Sequence, residues 1–293
     1  MTLNKEIMMN KVLYGDNQFF AVNHLSDEKS RAQSMRFKDT KAIMSVLDQA
    51  IDSGIKTFMC TTHDRIGEIT EIMRNNPQRY QDFEIFPCMP YAHKYANAVT
   101  ELGIMGTIKE YIPGNLLSFA AKGGAAVIKK DFNKMMEMLI DAELKMFRGV
   151  KTPVIFLQNV LIDMILGLKM YDALLHYDGY IRKKYNAEPG YITMNMPLLL
   201  DTLNSIGIEN PIICSSINKI GFRMSGGKSI YEKYLKEKTF RPIAMQALAS
   251  GAIHPQEAIE YLAQFPKIES VLFGASSKAN IEQTKDLIES NLV

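Results

Sequence analysis

Tyr191–Asn218 reads YITMNMPLLLDTLNSIGIENPIICSSIN, two β-rich runs flanking a segment of helical character. That strand–helix–strand order is the unit from which parallel sheets are built. Working outward, the alternation continues through most of the chain. Eight β-rich runs emerge: Val12–Asp16, Lys56–Thr61, Phe83–Cys88, Pro153–Gln158, Tyr191–Asn195, Pro211–Ser216, Pro242–Gln246 and Ser270–Gly274. Most are continuous apolar stretches such as VIFL, IIC and VLFG, as expected when strands are covered on both faces. The expected fold is α/β, a (β/α)8 TIM barrel over residues 1–293 as one domain.

The segments between the runs carry helical spacing. Ile43, Val46, Leu47, Ala50 and Ile51 make one apolar stripe, and Ser53-Gly54 then supplies a residue suited to a left-handed cap. His254-Pro255 opens another helix with buried positions at Ala258, Ile259 and Leu262. Ser276 or Ser277 caps the last one, with Ile281, Leu287 and Ile288 facing inward. The one large irregularity is a long insertion, about 90–130, between the third strand and a helix expected over Asp131–Arg148. A loop there stands on the catalytic face of a barrel, as a lid or as a decorated rim.

Composition narrows the function classes. Of 293 residues, 47% are hydrophobic and 23% charged, so the chain can bury a large core. The net charge of +2 comes from interspersed acids and bases with no basic stripe, which argues against nucleic acid. No apolar run is long enough for a membrane span, and the N-terminus lacks the apolar region of a leader, so the expected location is the cytoplasm. Three cysteines, Cys60, Cys88 and Cys214, are too few for a disulfide framework. With neither C-x-x-C nor H-x-x-x-H spacing, no metal is expected.

The last hundred residues resemble a known family. Tyr191–Asn218 is similar to the fifth strand, fifth helix and sixth strand of the aldo-keto reductases. RPIAMQALASGAI and VLFGASSKANIEQTKDLI, which start at Arg241 and Val271, resemble that family's last two strand–helix units. More weakly, SGIKTFMCTTHDRIGE from Ser53 is similar to the second strand and its loop, and TPVIFLQN from Thr152 to the fourth strand. The resemblance implies carbonyl reduction with NADP or NAD. It also implies Asn195 as the amide that holds the nicotinamide, and Gly274, Ser276, Ser277 and Lys278 as a phosphate site at a helix start. The family's catalytic aspartate, tyrosine, lysine and histidine fall here on Met59, Asp64, Cys88 or Met89, and Gln158, so the tetrad is not kept. The family's adenine-contacting asparagine falls on Thr284.

The residues themselves point to the strand ends. Asp16, Asn17 and Gln18 follow the first run, Thr61, Thr62, His63 and Asp64 the second, and Gln158 and Asn159 the fourth. Asn195, Asn218 and Gln246 continue the ring. Such groups line a polar pocket for a small-molecule ligand, or serve as turn chemistry. His63 beside Asp64 is the first candidate for proton transfer, since imidazole titrates near neutrality. Asp16 is the next, either as a base or as part of an Asx-type turn with Asn17. Asn17, Gln18, Gln158, Asn159 and Gln246 are substrate-binding candidates.

Three functions compete. The first is an aldo-keto-reductase-like enzyme acting on a small polar substrate without the usual tetrad. The second is a lyase, isomerase or hydrolase acting on a phosphorylated small molecule. The third is a non-catalytic ligand-binding barrel.

Overall fold

In a computed structural model, residues 7–20, 27–91 and 132–292 are described. Eight parallel strands close into a barrel in chain order. They are β1 Val12–Gly15, β2 Thr57–Thr61, β3 Glu84–Met89, β4 Val154–Leu157, β5 Glu188–Thr193, β6 Ile212–Ser216, β7 Arg241–Met245 and β8 Ser270–Phe273. The ring is sealed by β1 pairing with β8, Val12 opposite Val271 and Tyr14 opposite Phe273. Among the described residues the helices are α1 Asp27–Arg36, α2 Thr40–Asp52, α3 Asp64–Asn75, α4 Pro77–Tyr80, α5 Phe132–Leu144, α6 Asn159–Gly167, α7 Asp172–Tyr180, α8 Met196–Ser205, α9 Lys228–Glu237, α10 Pro255–Leu262 and α11 Lys278–Asn291. The expected insertion lies outside the described residues beyond Tyr91, as does the start of its helix at Asp131. That helix ends earlier than expected, at Leu144, and the chain tightens into a 3-10 turn, Lys145–Phe147.

The strands lack polar alternation because each feeds two cores. Leu13, Met59, Phe86, Cys88, Phe156, Ile192, Cys214 and Ile243 pack together inside the barrel. Their neighbours Tyr14, Phe58, Ile85, Ile155, Tyr191, Ile213 and Ala244 pack outward, against the helices. Side chains that alternate between two dry faces leave a continuous apolar run in the sequence.

Helix ends follow local chemistry. The Asp39 carboxylate caps α2 by accepting from Ala42 N at 2.8 Å, and Gly54 ends that helix in the left-handed region at φ 90°. At α11, Ser277 Oγ accepts from Asn280 N at 3.4 Å, while Ile281 and Ile288 are buried on its inner face. Ser277→Ala removes that acceptor. It is expected to cost about 1 kcal/mol, read as a shift of the urea midpoint at unchanged slope.

Strand β5 differs from the sequence reading by starting at Glu188, three residues before Tyr191, and ending at Thr193. Pro189 and Gly190 sit inside it, paired with Ile155 and Phe156 of β4. The Phe156 ring lies over Gly190, where a Cβ would meet its Cζ at 2.8 Å and two ring carbons nearer still. Glycine is needed here for packing, a demand that local propensity does not reveal.

Candidate functional site

The carboxyl ends of the strands stand level, with Gly15 opposite Met59, Thr61 opposite Cys88, Met89 opposite Leu157 and Ser216 opposite Met245. The polar residues that follow them gather into three groups around this rim.

The first group joins β1, β2 and β3. Asp16 is 5% exposed, and its Oδ2 accepts from both Thr61 N and Thr61 Oγ1 at 2.7 Å. Its side chain makes no cap bond to the 3-10 turn Asn17–Phe19 that it precedes, so the Asx-type turn is not formed. Burial pushes the Asp16 carboxyl above the ordinary carboxylate range, and the two Thr61 bonds offset only part of that. His63 caps α3, its Nδ1 accepting from Arg65 N at 3.2 Å. Its ring stacks on Phe20 at 4.1 Å and stands 5.8 Å from Tyr91. Burial, and then the charge of Asp16, push the Tyr91 phenol above its usual value. Asp64 differs from its expected partnership with the pocket in one respect: it is exposed in the first turn of α3, where a carboxylate complements the positive helix end.

The second group lies across the rim. Ser216 Oγ donates to Gln246 Oε1 at 2.7 Å and lies 3.8 Å from Met194 Sδ. Gln246 holds φ at 54°, in the left-handed region that a non-glycine residue enters at a cost of about 1–3 kcal/mol. The Ser216 bond holds the Gln246 carboxamide over the rim in that conformation. Gln158 and Asn159, at the start of α6, are half-buried between the two groups.

The third group is the corner between β8 and β1. Tyr14 Oη donates to the Ala275 carbonyl, and Arg36 Nη2 to the Ser276 carbonyl. Gln18 is 5% exposed; its Nε2 donates to the Gly15 carbonyl at 2.7 Å, and its Oε1 has no hydrogen-bond partner among the described residues. The Gln18 carboxamide occupies the space a side chain at Gly274 would need, so any larger residue there would have to displace it. Lys278 lies 3.6 Å from Glu282 and is exposed.

Further polar residues of the strand ends also carry local bonds. Asn195 caps α8, Oδ1 accepting from Leu198 N at 3.3 Å. Asn218 is fully buried and bonds both the N–H and the carbonyl of Phe222 at 2.8 Å, which pins the loop after β6. Asn17 is exposed. Of the positions where the resemblance looked for acid–base groups, Met59 and Cys88 are buried inside the barrel and Met89 in the outer core. Burial holds the Cys88 thiol protonated, well above its ordinary range.

Two groups were missed. Tyr91 stands two residues past the end of β3, a placement that the strand assignment alone could have flagged. Glu143, near the end of α5, accepts from Thr62 Oγ1 at 2.5 Å and from Tyr91 N at 3.1 and 3.2 Å. It is 3% exposed, and nothing in the sequence distinguishes it from any surface helix glutamate. Among the described residues, no three His, Cys, Asp or Glu are placed to hold a metal ion, and no helix is long and apolar enough to cross a membrane.

No family model and no curated protein matches the sequence. Solved structures match it by fold. The holo form of an aldo-keto reductase from Bacillus halodurans gives a TM-score of 0.59 at 10% identity, over 97% of this chain and 88% of that one. A glycerol dehydrogenase from Gluconobacter oxydans gives 0.55 at 8% identity, over 98% and 93%. A Gox0644 variant in complex with NADPH gives 0.51 at 9% identity, over 87% and 81%. The likeness is one of fold: this chain has the barrel of the aldo-keto reductases.

Proposed function

We propose that the chain is a divergent aldo-keto-reductase-like enzyme that acts on a small polar substrate at the barrel mouth with a nicotinamide cofactor, using Asp16 as its acid–base group. The observation that carries this reading is the buried Asp16 carboxyl, fixed by two bonds from Thr61 on a rim of polar side chains. A carboxyl kept dry stays protonated to higher pH than an exposed one, which brings it toward the range where general acids work. Both Thr61 bonds fall on Oδ2, so Oδ1 is the oxygen assigned to proton exchange with the substrate. Tyr91, protonated at neutral pH, donates to a substrate oxygen, and His63 is stacked flat on Phe20, with the tilted Tyr91 ring 5.8 Å away and Nδ1 engaged by Arg65 N. In the neutral ring the exchangeable proton is then on Nε2. Ser216 and Gln246 orient the substrate from the far side.

The donor set at the β8 corner fits a dinucleotide's phosphates. The positive start of α11, Lys278 and the Arg36 guanidinium complement a diphosphate, with Gly274, Ser276 and Ser277 as the turn beneath it. A bound nicotinamide dinucleotide would supply hydride. Asn195 remains the expected amide contact, through the Nδ2 donor that its cap bond leaves available. In a titration of the protein with NADPH followed by cofactor fluorescence, saturable binding is expected, weakened about tenfold by Arg36→Ala combined with Lys278→Ala. Absence of binding at millimolar NADPH would defeat the cofactor assignment.

One observation favours a second reading, a lyase, isomerase or hydrolase of a phosphorylated small molecule. Thr284, where the family resemblance places the adenine contact, is 4% exposed on the inner face of α11 and is out of a ligand's reach. Thermal stabilisation by sugar phosphates without any by NADPH would select this alternative.

A further inference from the structure

Two buried carboxyl groups flank the end of β2. Asp16 Oδ2 accepts from Thr61 N and Thr61 Oγ1 at 2.7 Å, and on the next residue Thr62 Oγ1 donates to Glu143 Oε2 at 2.5 Å. Glu143 carries the link onward, because its two oxygens share the Tyr91 N–H at 3.2 and 3.1 Å. One line of bonds therefore joins Asp16 to Tyr91 through Thr61, Thr62 and Glu143, and His63 is the residue that follows Thr62.

The bond at Tyr91 replaces a missing rung. The ladder between β3 and β4 closes at Met89, whose carbonyl accepts from Gln158 N at 2.9 Å. Pro90 has no N–H to offer, so Tyr91 N is the first donor past the strand, and a side chain of α5 accepts it where a neighbouring strand no longer does. Asp141, two residues earlier on α5, turns to the helix layer instead and accepts from the Tyr180 and Tyr185 hydroxyls. That half-buried contact is enough to fasten α5 to its neighbours. Glu143 is 3% exposed and Thr62 fully buried, a placement whose desolvation cost only well-formed bonds offset.

These bonds hold the backbone beneath the two rings that stand 5.8 Å apart on this side of the mouth, His63 and Tyr91. We propose that Glu143 is a positioning residue, which fixes the Tyr91 phenol and the His63 ring at one spacing from the Asp16 carboxyl without itself touching substrate or cofactor. The proposal rests on the reading of Tyr91 as the donor to a substrate oxygen. A donor misplaced by about 1 Å costs about a hundredfold in rate, so a bond to the backbone of Tyr91 is felt at the reaction.

Glu143→Ala, Glu143→Gln and Thr62→Val, each checked for a cooperative unfolding transition, test this by two readouts. The first is proton NMR of the five histidines, with the His63 signal identified as the one lost in His63→Gln. Alanine at 143 is expected to shift the His63 signal, since the Phe20 and Tyr91 rings set its surroundings, while His254 at the start of α10 stays in place. Glutamine still accepts from Tyr91 N and meets Thr62 Oγ1 through its amide, so it is expected to restore the parent position. Thr62→Val removes only the hydroxyl, is expected to shift His63 as alanine does, and carries the test where the alanine variant does not fold. The second readout is NADPH oxidation with a panel of small carbonyl compounds. There kcat is expected to fall about a hundredfold in Glu143→Ala at near-constant KM, and to stay within about fivefold of the parent in Glu143→Gln. A His63 signal unmoved by Glu143→Ala and by Thr62→Val, a glutamine variant as impaired as the alanine one, or a raised KM at unchanged kcat overturns the inference. A parent that oxidises no NADPH, with His63 shifted by alanine and restored by glutamine, overturns the reaction assigned to the mouth and upholds the positioning.

Discussion

Asp16→Asn is expected to lower turnover by about a hundred- to ten-thousand-fold, the span typical of losing a positioned general acid or base. Asparagine keeps the shape and can still accept from Thr61 N and Oγ1, so the rim geometry survives while the exchangeable proton is lost. The assay is NADPH oxidation with a panel of small carbonyl compounds, scored by kcat as well as KM. A fall in kcat at near-constant KM marks a group that acts on the reaction rather than on binding. The same variant makes a stability prediction of definite sign. Burial raises the folded-state pKa of Asp16 above its unfolded value, so the folded protein binds more protons than the unfolded chain across that interval. Stability therefore falls as pH rises from the unfolded carboxyl pKa, about 4, through the raised one, and stays lower above it. The asparagine variant lacks this loss. Its melting temperature is expected to exceed that of the parent at pH 8, with the gap closing toward pH 4. Unchanged turnover removes Asp16 from the chemistry, and a gap of the opposite sign contradicts its burial as a strained carboxylate.

Gly190→Ala is expected to destabilise the barrel by about 3 kcal/mol, the upper part of the range for overpacking a filled core. The new methyl would overlap the Phe156 ring, which is fully buried inside the barrel beside Cys88 and Ile192, so neither partner has room to withdraw. Phe156→Leu in the same chain opens that space and is expected to restore part of the loss, a coupling that additive effects would not produce. Gly179, in α7, is the contrast. A Cβ there meets nothing within 4 Å, and Gly179→Ala is expected to stabilise by about 0.5–1 kcal/mol through helix propensity alone. Urea unfolding at constant slope measures all three. Equal effects at positions 179 and 190 would show that the Phe156 contact does not limit packing.

The two variants probe the two things a barrel supplies, a filled interior and a rim above it. Leu13, Met59, Phe86 and Phe156 close the interior below the mouth, so the polar groups on the strand ends stand on a dry floor. That floor raises the carboxyl of Asp16. It also keeps Cys88 an inert thiol, pushed far above its ordinary range by burial, while Cys60 on the helix-facing side of β2 is held inert in the same way by the outer core.

Much of this architecture was legible in the residues taken one segment at a time. Continuous apolar runs separated by segments of helical spacing already imply parallel strands buried on both faces, because the crossover helices of such units cover both sides of the sheet. Caps such as Ser277, and breaks such as Gly54, act within a few residues and were equally readable. What the sequence could not decide is which polar groups meet. Asp16 and Thr61 are 45 positions apart, Ser216 and Gln246 are 30, and Thr62 and Glu143 are 81. Only ring closure and strand register bring each pair into bonding distance. Asn218 looks as eligible as Asp16 on paper, yet both ends of its carboxamide are bonded within its own loop, because a side chain satisfies its nearest backbone groups first. Local chemistry thus set the elements and their order, while which polar side chains meet at the rim was decided by packing across the whole barrel.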